Sequence, residues 1–453
     1  MNSTDIQMIF VIGIIFICFI FTIHCVIDDD FSHFFNFRRD LRKANAHDQK
    51  PPKKLEAEKV FLGMSNRRDV YLPTKHCYVC GTTGSGKTVA IANYIKACID
   101  FNYPLLIVDG KGDTGENSML DIVTRLKENR KLYVIDMNDP TSSHSYNPFF
   151  DTSSTIAKDM LINLSEWTEE HYKLNVERYL QRVVDLIGKA KLTLSFKTIV
   201  FYVEVNNFLK LSKDLVTKKV ISKEEDLSNR ELSKSSGEIA KGSLARFSTL
   251  LESDLSPIFS DEGIDIFSAL KENAILLFIL NPLIYPVLSM AIGKLIITDC
   301  KKAVAKFYKE PIQRRFFIFD EINVYASTQF LDLVNKSRSA SITCVLASQS
   351  LSDLSAAVSE DFKEQVIENC NNYIIMRQNS SKNAEEWANI VGTRESIDVT
   401  YQIDEGATGR GSARKTREYI LHPDEIKNFP TGQGFVVSKD FRFKCKVDVN
   451  KPF

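Results

Sequence analysis

The sequence predicts an α/β protein with an inserted all-helical domain and an N-terminal transmembrane helix. Short apolar strands alternate with helical segments over residues 60–151 and 262–453, a pattern typical of a parallel sheet with helices on both faces. Residues 152–261 have helical periodicity and almost no strand signal, which predicts a helical domain inserted between two strands of that sheet. A long apolar run, residues 6–27, predicts the transmembrane helix.

The composition excludes some classes of protein and leaves others open. The 453 residues carry 58 Lys and Arg against 58 Asp and Glu, so no global charge attracts the chain to nucleic acid. Any nucleic-acid-binding surface must therefore be local. The nine cysteines are odd in number and scattered, which favours a reduced protein over a disulfide framework.

The N-terminal run from Ile6 to Ile27 has almost no polar side chains, and a helix of that length crosses a bilayer core. A cleaved signal peptide is the main alternative, but the basic start and small-residue cleavage site of such a peptide are absent. The first basic residue is Arg38, so the positive-inside tendency places the rest of the chain in the cytoplasm. The prediction is a membrane anchor over residues 1–37, followed by a basic juxtamembrane linker over residues 38–59.

The segment from Gly81 to Thr88 matches the phosphate-binding pattern G-x-x-x-x-G-K-[ST]. The predicted loop comprises Gly81, Thr82, Thr83, Gly84, Ser85, Gly86, Lys87 and Thr88. Glycines allow the backbone amides of such a loop to wrap a phosphate. A buried strand precedes the loop and a helix follows it, so the positive end of the helix dipole faces the anion.

This loop predicts that the protein binds ATP and Mg²⁺. Lys87 would contact the β- and γ-phosphates, and the hydroxyl of Thr88 would coordinate the magnesium ion. A second nucleotide-binding motif, which is acidic, is needed near the same site. Of three aspartates that end predicted strands, only Asp320 is followed directly by a glutamate. We therefore expect Asp320 to hold the metal and Glu321 to activate water as a general base, which predicts ATP hydrolysis.

Two further polar residues are candidates for the same reaction. Gln349 follows the next predicted strand, and at the carboxyl edge of the sheet its amide could sense the γ-phosphate. The alternative for Gln349 is a capping amide at the edge of the core. Arg338 ends the intervening helix and could stabilise transition-state charge in a neighbouring subunit. Its alternative is an arginine favoured at that position by the helix dipole alone.

Taken together, these motifs resemble the type IV coupling proteins, the TraD/TraG-type ATPases of conjugative DNA transfer and type IV secretion. The resemblance extends over most of residues 60–440. The matching pieces, in order, are the N-terminal membrane span, GTTGSGKT, DGKGD, YNPF, the helical insertion, FDEI, RSAS, LASQS and the segment EYILHPDEIKNFPTGQGFVV.

The resemblance implies a RecA-like P-loop motor domain of the additional-strand, catalytic-glutamate type, assembled as a homo-hexamer in the bacterial inner membrane. It also implies single-stranded DNA, an attached relaxase and type IV secretion channel components as partners. Carried over by position, Arg338 would act in trans and Gln349 as the sensor. Many members of the family have two membrane spans, whereas this sequence predicts one.

A basic segment near the C-terminus is the candidate for DNA binding. It contributes Arg410, Arg414, Lys415 and Arg417, which could follow a phosphate backbone through salt-dependent contacts. The alternative is an exposed basic loop without a ligand.

Two other functions stay open on the sequence alone. One is a coupling protein that delivers protein effectors to the secretion system, since the same motor core could serve either cargo. The other is a double-stranded DNA translocase of the chromosome-segregation type, although such proteins usually carry several spans and a small winged-helix end domain.

Overall fold

The computed structural model describes residues 58–164, 169–243, 245–401 and 411–453. Within them, eleven strands form one sheet and two form a separate hairpin. The strands are β1 (Lys59–Ser65), β2 (Arg68–Pro73), β3 (Cys77–Cys80), β4 (Leu105–Asp109), β5 (Leu132–Asp136), β6 (Ile275–Ile279), β7 (Arg315–Asp320), β8 (Ile342–Ser348), β9 (Asn372–Met376), β10 (Thr393–Tyr401), β11 (Gly411–Tyr419), β12 (Gln433–Ser438) and β13 (Phe443–Val449).

The α-helices connect and cover these strands. They are α1 (Lys87–Asp100), α2 (Met119–Leu126), α3 (Ser154–Ile162), α4 (Glu170–Lys189), α5 (Phe196–Val203), α6 (Val205–Thr217), α7 (Lys223–Ser243), α8 (Ala245–Leu251), α9 (Ile266–Lys271), α10 (Pro286–Phe307), α11 (Thr328–Ser337), α12 (Leu351–Ala357), α13 (Glu360–Asn369), α14 (Ser381–Val391) and α15 (Pro423–Lys427). Short 3₁₀ turns follow β7 and α11.

The sheet has the order β2-β1-β13-β12-β9-β3-β8-β7-β4-β6-β5. The seven strands from β9 to β5 are parallel, as the sequence predicts. Strands such as β7 and β8 are buried along their whole length, which explains why they are nearly continuous apolar runs rather than alternating ones. The sheet is nevertheless mixed, because β12, β13, β1 and β2 pair antiparallel at one end.

The described residues between β5 and β6 form helices α3 to α9. The two ends of this helical segment lie next to each other. There the backbone N–H of Tyr146 donates to the carbonyl of Ile258 (2.6 Å) and that of Asn147 to the carbonyl of Ile264 (2.9 Å). The YNPF motif therefore fastens the two ends of the helical segment together. The domain boundaries at residues 152 and 261 stay a prediction.

A buried charge cluster lies under this junction. Lys302 of α10 has a side chain only 2 % exposed, and its Nζ atom lies 2.9 Å from Oδ1 of Asp299 and 3.6 Å from Oδ2 of Asp265. The ammonium also donates to the carbonyl of Pro148 (2.7 Å), and the hydroxyl of Tyr146 donates to Asp299 (2.9 Å). One lysine thus ties the YNPF motif to α10 and to the start of α9.

We expect Lys302→Met to destabilise the protein by about 3–5 kcal/mol, because it leaves two buried carboxylates without their counter-charge. Lys306→Met on the same helix is the matched control. Lys306 pairs with the exposed Asp151, so its loss should cost about 0–1 kcal/mol. Urea unfolding of both variants measures the difference, and equal midpoints would contradict the structural role of the cluster.

His76 is buried where β3 begins, and its Nδ1 accepts from the backbone N–H of Cys344 (2.9 Å). Burial, followed by the charges of Arg338 and Lys75, lowers the pKa of His76 from 6.5 to about 4. The unfolded chain therefore takes up a proton below about pH 6.5 that the folded chain takes up only near pH 4.

The stability contributed by neutral His76 is present above pH 6.5 and is lost as the pH falls toward 4. At about 1.4 kcal/mol per pH unit, we expect a loss of roughly 3 kcal/mol from this residue. His76→Asn keeps an acceptor near Nδ1 and does not titrate. Its unfolding free energy should therefore fall less between pH 7 and pH 4.5, and an unchanged pH profile would show that His76 is not responsible.

Residues 385–425 form a compact unit of their own. Strands β10 and β11 pair antiparallel from Thr393 opposite Tyr419 to Tyr401 opposite Gly411. An ion pair between Arg394 and Glu418 (2.9 Å) crosses the hairpin. The basic segment that the sequence predicts as a loop is therefore partly a strand.

The prediction of a single-pass protein of the inner membrane is contradicted. In the parts of the chain that the structure describes, no helix combines the length and apolar character needed to cross a bilayer. The longest of them, α10 with 22 residues, carries Asp299 and Lys302 of the buried charge cluster. The predicted anchor over residues 1–37, with its helix at 6–27, lies outside the described residues, as does the linker up to residue 57.

Candidate nucleotide site

Strands β3, β7 and β8 are parallel, so their carboxyl ends meet at one edge of the sheet. This edge brings together the predicted phosphate loop after β3, Asp320 and Glu321 after β7, and Gln349 after β8. Strand β8 lies between β3 and β7 in the sheet. The acidic motif after β7 and the phosphate loop after β3 are therefore separated by one strand. Residues far apart in sequence thus form one candidate site.

The shape of the phosphate loop depends on its glycines. Gly84 (φ +75°) and Gly86 (φ +102°) have left-handed backbone conformations that other residues rarely adopt. A Cβ atom on Gly86 would also lie 3.0 Å from the backbone nitrogen of Gly432. The two positions therefore require glycine for conformation and, at Gly86, for a close backbone approach.

The outer side of the loop is held by the C-terminal segment before β12. The hydroxyl of Thr431 donates to the carbonyl of Gly84 (2.8 Å), and the N–H of Gly432 donates to the carbonyl of Ser85 (2.8 Å). No motif in the sequence indicates this support. These bonds satisfy two carbonyls of the loop from outside and fix its shape, and a loop of this kind binds an anion through its inward-pointing backbone amides.

Lys87 lies at the centre of the site and is 8 % exposed. Its Nζ atom is 2.5 Å from Oε1 of Glu321 and 3.8 Å from Oδ1 of Asp320. Burial alone would lower the pKa of Lys87, but Asp320 and Glu321 outweigh it and raise the pKa above its usual value. The lysine is therefore a fixed positive charge within reach of both acidic residues.

Glu321 is held in an unusual conformation for a glutamate. Its φ of 48° is left-handed, and its backbone N–H donates to Oδ1 of Asp320 (3.0 Å). Gln349 donates to Oε1 of Glu321 (3.3 Å), whereas Oε2 has no partner within the described residues. Burial raises the pKa of the Glu321 carboxyl, and Lys87 opposes that shift. Strained backbone and a raised carboxyl pKa are both common at catalytic positions.

Asp109 supports the acidic motif from the next strand. It lies opposite Asp320 in the register of β4 and β7, and the N–H of Gly110 donates to the carbonyl of Asp320 (3.1 Å). A Cβ atom on Gly110 would come within 2.8 Å of the carbonyl oxygen of Glu321, which explains the glycine of the DGKGD motif. Burial, with a smaller effect from Asp320, raises the pKa of Asp109 to about 7.

Arg338 lies away from this site. It forms the 3₁₀ turn before β8, at the opposite edge of the sheet from Lys87. The seven residues of β8 separate the two edges by about 20 Å. Arg338 is exposed and lines a cavity of about 100 Å³ together with Lys75, His76 and Arg314. It is therefore too far away to reach the phosphate loop of its own chain.

The proposed DNA-binding residues do not all lie on one face of the β10–β11 hairpin. Arg410 lies outside the described residues. Arg414, Lys415 and Arg417 are exposed on β11, where Lys415 and Arg417 point to one face and Arg414 to the other. Arg417 also donates from Nε to the hydroxyl of Thr393 (3.1 Å). The structure thus gives this basic group two faces rather than one continuous patch.

Two family models match the chain. One describes conjugative DNA transfer by the type IV secretory system and matches residues 38–231. The other describes the TraM recognition site of TraD and TraG and matches residues 314–431. The matched regions include the phosphate loop and the Asp320–Glu321 pair, respectively.

Solved structures with the same architecture agree with these matches. The bacterial conjugative coupling protein TrwB in its unbound form is 17 % identical, covers 88 % of this chain and 90 % of its own, and has a TM-score of 0.66. TrwB in complex with ADP and Mg²⁺ is 17 % identical, covers 88 % and 91 %, and has a TM-score of 0.64. VirB4 of Thermoanaerobacter pseudethanolicus is 11 % identical, covers 88 % and 97 %, and has a TM-score of 0.55. The family resemblance of the sequence motifs is confirmed.

Proposed function

We propose that this chain, which belongs to the type IV coupling proteins, hydrolyses ATP to deliver single-stranded DNA with its attached relaxase to a type IV secretion channel. The cluster of Lys87, Glu321 and Gln349 at the phosphate loop is the observation that carries the proposal. It combines a phosphate-binding cation, a candidate base and an amide that contacts that base.

The residues of the site fit ATP and Mg²⁺. The hydroxyl of Thr88 and the carboxylate of Asp320 would hold the metal, since Mg²⁺ usually takes one or two protein oxygens and completes its shell with phosphates and water. When bound, the ion would neutralise charge on the phosphates. A phosphate in the loop would compete with Glu321 for Lys87, because the two now lie 2.5 Å apart. That exchange would release the Glu321 carboxylate to accept a proton from the attacking water.

The motor would need more than one copy of the chain. Arg338 is exposed at the edge of the sheet opposite the phosphate loop, so it could complete only the site of another subunit. Such a head-to-tail contact repeats around a closed ring. This placement supports the homo-hexamer that the family resemblance implies, with Arg338 acting in trans.

Two observations support DNA as the cargo. The family match over residues 38–231 describes conjugative DNA transfer, and the match over residues 314–431 suggests recognition of a TraM-like partner protein through this region. The exposed Arg414, Lys415 and Arg417 supply local positive charge in a chain with no net charge. Delivery of protein effectors is the competing function.

Steady-state ATPase activity of the full chain, with and without single-stranded DNA, tests the proposal. We expect DNA to stimulate hydrolysis and Lys87→Ala to abolish it. Activity indifferent to single-stranded DNA but stimulated by a candidate effector protein would favour protein delivery. A wild-type chain without ATPase activity in any condition would contradict the motor function.

The basic residues are tested by the salt dependence of DNA binding. Replacing Arg410, Arg414, Lys415 and Arg417 by glutamine should weaken affinity and lower the slope of log K against log salt by about 0.7 per lost phosphate contact. The control removes four exposed charges elsewhere, namely Lys309, Lys336, Arg442 and Lys451. Equal slopes in the two variants would exclude a specific role for the basic group.

A further inference from the structure

We propose that Arg377 contacts the phosphates of the nucleotide in the same chain, as a second cation beside the phosphate loop. This inference rests on the proposed function, because it requires ATP in that loop. It adds a specific residue that the sequence motifs do not identify.

Arg377 is positioned by its place in the sheet. Strand β9 is the parallel neighbour of β3, with Ile375 opposite Cys80, so both chains continue past the same edge. Arg377 comes directly after β9, and its carbonyl accepts from the N–H of Thr82 at 3.0 Å. The backbone of Arg377 is therefore attached to the phosphate loop itself.

The residues that follow Arg377 strengthen this attachment. Gln378 donates from Nε2 to the carbonyl of Gln349 (3.2 Å), and Asn379 donates from Nδ2 to the hydroxyl of Thr82 (3.4 Å). The segment therefore contacts both the phosphate loop and the strand end that carries Gln349. A side chain that starts from so well fixed a position needs little ordering to bind a ligand.

The side chain of Arg377 extends toward the tip of the loop. Its Nη2 atom lies 4.0 Å from the position that a Cβ atom on Gly84 would occupy, and no other atom outside the immediate chain neighbours is that close. Because Gly84 has no side chain, the guanidinium of Arg377 faces the backbone of the loop directly. The backbone of Gly84 is left-handed, a conformation that favours glycine at this position. Gly84 belongs to the loop whose backbone N–H groups would cradle the phosphates.

Among the described residues, no carboxylate pairs with the guanidinium of Arg377. The side chain is half-buried and forms no ion pair or hydrogen bond within the described residues. Lys87, in contrast, already lies against the carboxylates of Glu321 and Asp320. A partly desolvated guanidinium without a carboxylate is well suited to an anion, and arginine binds phosphate through several directed donors.

The alternative is that Arg377 is an ordinary surface arginine. In that case its removal would leave nucleotide affinity unchanged. A purely structural role would change thermal stability and would weaken all ligands alike.

Equilibrium binding of ATP to the full chain separates these cases. We expect Arg377→Gln to weaken ATP about 10- to 100-fold, as for the loss of one charge-assisted contact, and to reduce the salt dependence of its Kd. Arg377→Lys should recover part of the affinity. Competition by adenosine, which has no phosphate, should be unchanged, and so should the melting temperature without nucleotide.

The matched control is Arg178→Gln, which removes an exposed arginine of α4 and should bind ATP like the wild type. If Arg377→Gln binds ATP normally while Lys87→Ala does not, the inference about Arg377 fails and the proposed function stands. Equal weakening of ATP and adenosine would also overturn it. If the wild-type chain does not bind ATP, the proposed function itself fails.

Discussion

Glu321→Gln is expected to lower the kcat for ATP hydrolysis by about 10²–10⁴-fold while ATP still binds, which is the usual contribution of a positioned general base. The amide keeps the size of the carboxylate but cannot accept a proton from water. The backbone conformation at residue 321 and the hydrogen bond from Gln349 fix the carboxylate next to Lys87. Removing the negative charge also frees Lys87 from its ion pair, so we expect ATP affinity to be equal or higher.

Single-turnover hydrolysis together with equilibrium ATP binding measures both effects. Asp136→Asn is the matched control, because Asp136 ends β5 at the same edge of the sheet but on its outermost strand. Its hydrolysis rate should stay within about threefold of the wild type, since it touches none of the site residues. Hydrolysis by Glu321→Gln at the rate of this control would show that Glu321 is not the base.

The sequence predicts well what lies within one continuous segment. The phosphate loop is encoded by adjacent residues, and its glycines have the left-handed conformations that explain their presence. The buried parallel strand β7 is apolar between its terminal Arg315 and Asp320, so both the strand and the Asp320–Glu321 pair at its end are visible in the sequence. The order of the strands is not visible in this way, because β3 and β4 are consecutive in sequence but are separated in the sheet by β8 and β7.

Contacts between distant segments have no such signal. The segment at Thr431 and Gly432 supports the loop from more than 300 residues away, and its residue types are typical of any turn. Arg377 follows an unremarkable apolar strand, and only the pairing of β9 with β3 brings it to the loop. Strands β1 and β13, near the β2 end of the sheet, are partly exposed and mix charged with apolar residues, so their antiparallel pairing depends on partners that the local pattern does not specify.

Arg338→Ala is expected to lower ATP hydrolysis by about 10³–10⁵-fold if Arg338 stabilises transition-state charge on a neighbour's nucleotide. ATP binding to the variant should be preserved, because Arg338 lies at the opposite edge of the sheet from its own phosphate loop. If Arg338 only complements the dipole of α11, the same substitution should cost a few tenths of a kcal/mol of stability and little activity.

Mixing two inactive variants distinguishes action in trans from action in cis. An Arg338→Ala subunit keeps an intact phosphate loop, and a Lys87→Ala subunit keeps an intact Arg338. In a mixed ring, some interfaces join the intact phosphate loop of an Arg338→Ala subunit to the intact Arg338 of a Lys87→Ala subunit, so ATPase activity should reappear. Mixing Lys87→Ala with Glu321→Gln is the control, since both lesions are in the loop-side half of the site and no interface is complete. Recovery only in the first mixture requires that Arg338 act across a subunit interface, whereas no recovery in either mixture would contradict that role.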